Sequence, residues 1–237
     1  MNWRTILFWI VVFVVLYLVY YYVFSDWTST SLYSGGNAKN AKKIDAKKLP
    51  GNPASVDFTF SVWIYINSWQ YRYGNVKTIY RRIDPSTKQV SPELSLAAST
   101  NDLSISVTTF PDSGSSSIGN VDTWNVHNIP IQRWVNVIIV TNNRAVDTYV
   151  DGKLVNTHVL TGVPKMNKTA PIFLTPDGGF SGETAKFRYI SRTISPREAY
   201  TIYREGPGAN WLSDLFNRYK LKFSFLKDIE ELNSFEI

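Results

Sequence analysis

No cysteine occurs in the 237 residues of this chain, which excludes disulfides, thiolate catalysis and cysteine-based zinc sites together. Stability must therefore come from packing. Histidine is nearly absent too, with only His127 and His158, and no Gly-x-Ser-x-Gly elbow presents a serine nucleophile. Glycoside hydrolysis needs an acid and a nucleophile flanking one bond, supplied by carboxylates alternating along a strand. Here Glu183 and Glu198 are far apart, Glu205 stands alone, and Glu230 and Glu231 lie in a polar tail. The chain is read as non-enzymatic. Positive charge is not concentrated in a folded surface: residues 1–24 carry +1, residues 25–52 carry +3 and the remainder carries +2. Without a basic stripe interleaved with aromatics, no nucleic-acid partner is expected.

What the chain does have is one long apolar run. Ile6 to Phe24 contains no charged residue, and as a helix it would extend about 28 Å, close to the roughly 30 Å hydrocarbon core of a bilayer. Ile6, Phe13, Leu16 and Phe24 mark the span. A cleavable secretory signal would have a shorter apolar region and a small-residue cleavage site, whereas this run ends in Tyr20, Tyr21, Tyr22, Val23 and Phe24. With Trp3, Trp9 and Trp27, these rings suit interfacial belts. The expectation is an uncleaved single-pass anchor over residues 1–24. Arg4 lies before the span and Lys39, Lys42, Lys43, Lys47 and Lys48 follow it, so the positive-inside tendency leans toward a cytosolic domain.

Residues 25–52 are rich in Ser, Thr, Gly, Asn, Ala and Lys and read as a flexible linker. Its five lysines, Lys39, Lys42, Lys43, Lys47 and Lys48, are candidates for contact with anionic lipid headgroups, each contributing about 1 kcal/mol near the surface. A merely solvated linker has the same composition.

From Phe58 onward short strands are expected over 58–66, 76–83, 93–98, 103–110, 121–127, 134–141, 145–150, 154–160, 172–175 and 184–191, separated by turn residues, the pattern of a sandwich or barrel. Phe58, Phe60, Val62, Ile64 and Ile66 alternate onto one face, with Thr59, Ser61, Trp63 and Tyr65 on the other. Asp151-Gly152 between two apolar runs predicts a type I′ hairpin. His127 and His158 fall opposite Trp124, Val126, Val155 and Val159, and are expected to face solvent.

Several of these segments carry a family resemblance. Trp134-Val135-Asn136-Val137-Ile138-Ile139-Val140 followed by Asp147-Thr148-Tyr149-Val150-Asp151-Gly152 resembles the laminin-G, pentraxin and concanavalin A-like lectin/glucanase group. Phe58 to Ile64, and Phe180-Ser181-Gly182 followed by Phe187 to Ser195, resemble its early and closing strands. The match covers about Pro53 to Gly206, and implies an all-β, two-sheet antiparallel jelly-roll sandwich. Trp134, Tyr149, Asp151, Gly152, Phe180 and Gly182 are fold-marking positions. Relatives in this group bind calcium and sugar on loops, so calcium and glycan are possible ligands by resemblance, although no motif places them. Asp84, Asp112, Asp122 and Asp177 fall in expected loops, where aspartate is also an ordinary turn residue.

Aromatic residues make up 15% of the chain, a composition characteristic of contact surfaces. Trp69, Tyr71, Arg72 and Tyr73 form the candidate contact patch, which could equally cap the sandwich or stack on sugar. Asn167-Lys168-Thr169 matches a glycosylation acceptor, relevant only outside the cytosol. Residues 207–237 form an apolar extension, with helical spacing at 211, 212, 215 and 216 and alternation over 219–225, expected to pack on its own domain or a neighbour's.

Cysteine-free and rich in Asn, Tyr and Lys, the chain resembles the anchored lectin-fold proteins of large double-stranded DNA viruses. That resemblance implies a structural protein, a minor capsid or virion membrane protein joining an internal membrane to a shell of capsid proteins. Its domain would face the shell in the virion, or the cytosol in a host membrane. The alternative from a different class is a membrane-anchored glycan-binding lectin.

Overall fold

The computed structural model describes residues 3–24, 28–51, 55–111, 119–208, 222–227 and 230–236. Twelve strands, numbered along the chain, form two six-stranded antiparallel sheets. The first sheet has the order β1 (Ser29–Asn37), β12 (Ser181–Ile190), β3 (Phe58–Ser68), β8 (Trp134–Asn142), β9 (Ala145–Val150) and β10 (Lys153–Val159). The second has the order β2 (Lys42–Ile44), β11 (Ile172–Leu174), β4 (Lys77–Ile83), β5 (Val90–Leu96), β6 (Leu103–Thr109) and β7 (Asn120–Val126). This is the expected all-β, two-sheet architecture, and one shared core lies between the sheets.

The alternation in β3 explains that core. Phe58, Phe60, Val62, Ile64 and Ile66 are all buried in it. Phe60 is its hub, with ring centroids 5.2 Å from Tyr80, 5.9 Å from Phe187 and 5.0 Å from Tyr189. Each such ring removes about 150–250 Å² from water, at about 25 cal/mol per Å². The other face of β3 is buried as well. A helix, α2 (Pro196–Arg204), lies over it, with Ala199 and Ile202 against Ile138, Val140, Tyr149 and Ile190. Tyr203 stacks on Trp63 at 5.7 Å. Ser195 and Glu198 close a reciprocal capping box and Pro196 occupies the first turn, so three orphan-donor problems at the helix start are solved locally.

Two expectations are corrected. Residues 29–48 are not a flexible linker: β1 pairs with β12 from Ser29↔Ile190 to Asn37↔Glu183, and β2 pairs with β11. Edge strands of this kind are held by main-chain hydrogen bonds to a neighbour, which a Ser- and Gly-rich composition conceals. His158 does not face solvent either. A register shift between Leu154 and Asn156 moves each following side chain to the opposite face. His158 therefore turns inward and stacks on Trp124 at 4.3 Å, while Val155 and Val159 are exposed. His127 is exposed as expected, 3.1 Å from Asp102.

The Asp151-Gly152 hairpin is as expected, with φ of 51° and 73° at the two residues. At Gly182 a side chain is excluded because a Cβ would lie 1.8 Å from the Tyr65 carbonyl oxygen. The amino-terminal helix α1 (Trp3–Phe24) has 22 residues, about 33 Å at 1.5 Å each. Its side chains are described as far as Val19, and Ile6, Phe13 and Leu16 are exposed. Among the described residues, no helix is long and apolar enough to cross a membrane. In the extension, β13 (Lys222–Lys227) and β14 (Glu230–Glu236) form a two-stranded sheet. The helical stretch expected over 211–216, and the packing of the extension, lie outside the described residues.

Candidate functional site: a lysine-lined groove

A concavity of about 720 Å³ is lined by Lys43, Asp45, Lys47, Lys168 and Thr169, together with Pro85, Pro171 and Leu49. Its positively charged residues come from two distant segments. Lys43 and Lys47 stand on β2 and on the helical turn Ala46–Lys48 that follows it. Lys168 is brought opposite them by the end of β4. There the fully buried Arg82 donates from Nε to the Ala170 carbonyl at 3.2 Å and from Nη2 to the Asn167 carbonyl at 2.7 Å. Two residues on, Asp84 folds the 84–88 turn upon itself, accepting from the Ser86 amide at 2.8 Å, the Ser86 hydroxyl at 2.6 Å and the Thr87 amide at 3.2 Å. Its second oxygen takes the Asn167 side-chain amide at 2.8 Å.

This clamp has electrostatic consequences. Burial tends to raise the Asp84 pKa, but the hydrogen bonds from Ser86, Asn167 and Thr87 outweigh it and hold the carboxyl far below its ordinary value. Burial lowers the Arg82 pKa to about 10, opposed by neighbouring Tyr189. Arg82 remains a cation at neutral pH. Among the described residues, none of Lys43, Lys47 and Lys168 has a carboxylate within ion-pair distance. The groove thus presents three ammonium groups and a hydroxyl against the one carboxylate of Asp45, an arrangement suited to a phosphate- or carboxylate-bearing group.

The structure divides the five lysines read from the sequence. Lys43 and Lys47 line the groove and Lys48 is exposed on the same turn. Lys39 instead lies 4.5 Å above the ring of Tyr71, and Lys42 lies 4.9 Å above that of Tyr33. The expected aromatic patch is mostly turned inward. Tyr71 donates its hydroxyl to the Gly178 carbonyl at 3.0 Å and Arg72 donates to the Gly179 carbonyl at 3.2 Å. Trp69 packs on the core beneath the Lys77 ammonium at 4.7 Å. Tyr73 alone of the four is largely exposed, at 57%.

The remaining candidates serve local structure. Trp134 leans on Tyr65 at 5.7 Å, while Tyr149 and Phe180 are buried. Asp151 accepts from the Asn136 amide at 2.9 Å and pairs with Arg133 at 2.5 Å. Asp122 accepts from the amide and hydroxyl of Thr161, and Asp177 pairs with Arg81 at 3.0 Å; Asp112 lies outside the described residues. No group of three or more metal-ligating side chains occurs among the described residues. Glu198 and Glu205, distant from each other's partners in sequence, share one hollow beside α2, where each is paired with its own arginine, Arg192 and Arg188. Sequence reasoning missed Lys168 because its neighbours read as a glycosylation acceptor, and missed Arg82 because nothing in its strand marks a buried cation.

A family model described as concanavalin A-like lectin/glucanases superfamily matches residues 35–199. No curated protein matches. Among solved structures, the receptor binding domain of botulinum neurotoxin D is similar at 14% identity and a TM-score of 0.55, covering 83% of this chain and 46% of that one. The botulinum neurotoxin serotype D ligand binding domain in complex with N-acetylneuraminic acid is similar at 16% identity and a TM-score of 0.53, covering 76% and 42%. The chain thus spans less than half the length of these structures, and the likeness is one of fold.

Proposed function

This chain belongs to the concanavalin A-like lectin/glucanases superfamily, and we propose that it is a non-enzymatic interaction module held at a membrane by α1. The observation that carries the reading is the shortness of the connection. α1 ends at Phe24 and β1 begins at Ser29, so even a fully extended chain separates them by no more than about 17 Å. A helix apolar on every side belongs in lipid or in a core, and the described apolar side chains of α1 are exposed apart from the half-buried Val12. Residues 20–24, apolar or aromatic in sequence, extend it to the length a crossing needs.

A domain on so short a leash works in a thin layer above its bilayer. That suits a tether joining an internal membrane to a closely apposed shell, the structural role of a minor capsid or virion membrane protein. The non-enzymatic reading is supported by the carboxylates, since Glu198 is committed to a helix cap and Arg192, and Glu205 to Arg188. A second reading, an anchored lectin, is supported by a hollow of about 310 Å³ whose lining includes Asn125, His127, Asn128 and Asn156, amide-rich chemistry suited to sugar hydroxyls.

Protease protection of the full-length protein in sealed membranes separates the two. Cleavage of the domain from the cytosolic side without detergent is the outcome expected for the tether. Protection until detergent is added would place the domain in the lumen and put the lectin reading first. Glycosylation of Asn167 would then require its amide to leave Asp84.

A further inference from the structure

If α1 is the anchor, as proposed above, strand register fixes which end of the sandwich meets the bilayer. Ser29 pairs with Ile190 and Ile190 with Thr59, while the Ser191 amide donates to the Thr28 carbonyl at 2.9 Å. This near end is where the chain arrives from α1. β3 leads away from it to Trp69, and β4 returns to it at Ile83, followed by Asp84 and Pro85. The 167–171 segment is tied to that exit by Arg82 and Asp84. Gly51, just beyond the lysine turn, lies so close to Ser191 that a Cβ would be 2.6 Å from its hydroxyl. β6 also ends here, where the Phe110 amide donates to Val163 and the Lys165 amide to Thr108. The lysine groove therefore opens at the end nearest the anchor.

We propose that this near end is a docking face for the anionic bilayer surface that α1 enters, with Lys43, Lys47 and Lys168 receiving a phosphate-bearing headgroup and Phe110 and Val163 reaching the interface. Three features support a lipid surface. The leash of about 17 Å cannot bring the far end down, because the nine residues of β1 alone extend about 30 Å. The carboxylates of this end keep their charge but are held by their own loops and not by the groove lysines: Asp57 accepts from the Asn143 amide, Asp84 from its own turn and Asp122 from Thr161, while Glu198 pairs with Arg192. Asp45 is the exception within the groove. Finally, Phe110 is 50% and Val163 39% exposed beside Lys165, whose ammonium is 6.0 Å from the Phe110 ring, the pairing of aromatic and cation that interfaces favour.

The full chain is reconstituted in phosphatidylcholine vesicles with and without phosphatidylserine, insertion is checked by flotation, and lysine acetylation is followed residue by residue. With phosphatidylserine, Lys43, Lys47 and Lys168 are expected to react about fivefold more slowly, recovering in high salt. Lys153, exposed on the far-end hairpin, serves as the unchanged control. Equal rates in both vesicles, in a chain that floats, would overturn the docking face and leave the anchor standing. A chain that does not float removes the anchor, and this inference falls with it.

Discussion

At the far end of the sandwich Lys77 is 1% exposed, lies 4.7 Å from the ring of Trp69, and donates to the carbonyls of Asn75, Ala97 and Ala98. Burial, then the charge of Arg72, lowers its pKa. At the near end Lys43, Lys47 and Lys168 stay in solvent around a groove, while the structural cation is Arg82 behind them. The same residue type is therefore a brace at one end and a free charge at the other. What separates the two is the supply of carbonyl acceptors: the far-end loop turns three inward to meet one ammonium, whereas the near-end carbonyls of Asn167 and Ala170 are taken by a guanidinium. An arginine can serve both because its fork of donors is rigid.

The strongest way to break this comparison is to remove the brace. Arg82→Ala leaves two carbonyls without their charged donor and a void under the 167–171 segment, and is expected to cost about 3 kcal/mol in urea unfolding. Arg81→Ala, which loses a partly exposed pair with Asp177, should cost about 1 kcal/mol. Equal losses would show that Arg82 is no more structural than its neighbour.

A smaller effect tests the turn that Arg82 works with. Because the folded state holds the Asp84 carboxyl below its ordinary value, the charged form is favoured by folding. The stabilisation is present above the unfolded pKa of about 3.9 and is lost as pH falls below it toward the folded value. Asp84→Asn should therefore melt below wild type at pH 7, and the gap should narrow as the pH is taken down through 4. A gap independent of pH would mean that the turn depends on shape alone and not on the carboxylate.

How legible these ends were in the sequence depended on what holds each segment. β3, the Asp151-Gly152 hairpin and β12 were readable because side-chain alternation and a positive-φ dipeptide are written in the residues themselves. β1 and β2 were not, since their partners are backbone groups of β12 and β11, and Ser-Thr-Ser-Leu-Tyr-Ser-Gly-Gly gives no alternation of its own. The β10 face was misread because one bulge inverts it. Lys43 and Lys47 were read only as two of five lysines, Lys39, Lys42, Lys43, Lys47 and Lys48, whereas Lys168, which faces them across the groove, lies more than a hundred residues away and is placed by Arg82 and Asp84, a long-range arrangement that no local pattern announces. The aromatic loop shows the same dependence on distant partners. Composition marked Trp69, Tyr71, Arg72 and Tyr73 as either a contact patch or a cap on the sandwich, and what separates the two is invisible locally, because the acceptors of Tyr71 and Arg72, the carbonyls of Gly178 and Gly179, sit on a distant turn of the same domain.

The smallest effect sharpens the comparison most. Replacing Lys43, Lys47 and Lys168 together by glutamine removes three exposed ammonium groups that have no carboxylate within ion-pair distance among the described residues. Surface changes of this kind stay within about 0.5 kcal/mol each, and relieving mutual repulsion across the groove offsets part of that. The triple variant is thus expected to unfold within about 1 kcal/mol of wild type, whereas Lys77→Gln, one substitution at the far end, should exceed it by stranding the carbonyls of Asn75, Ala97 and Ala98. If the triple variant were instead the less stable of the two, the groove lysines would be bracing the near end as Lys77 braces the far one, and charge left free for a partner would no longer distinguish them.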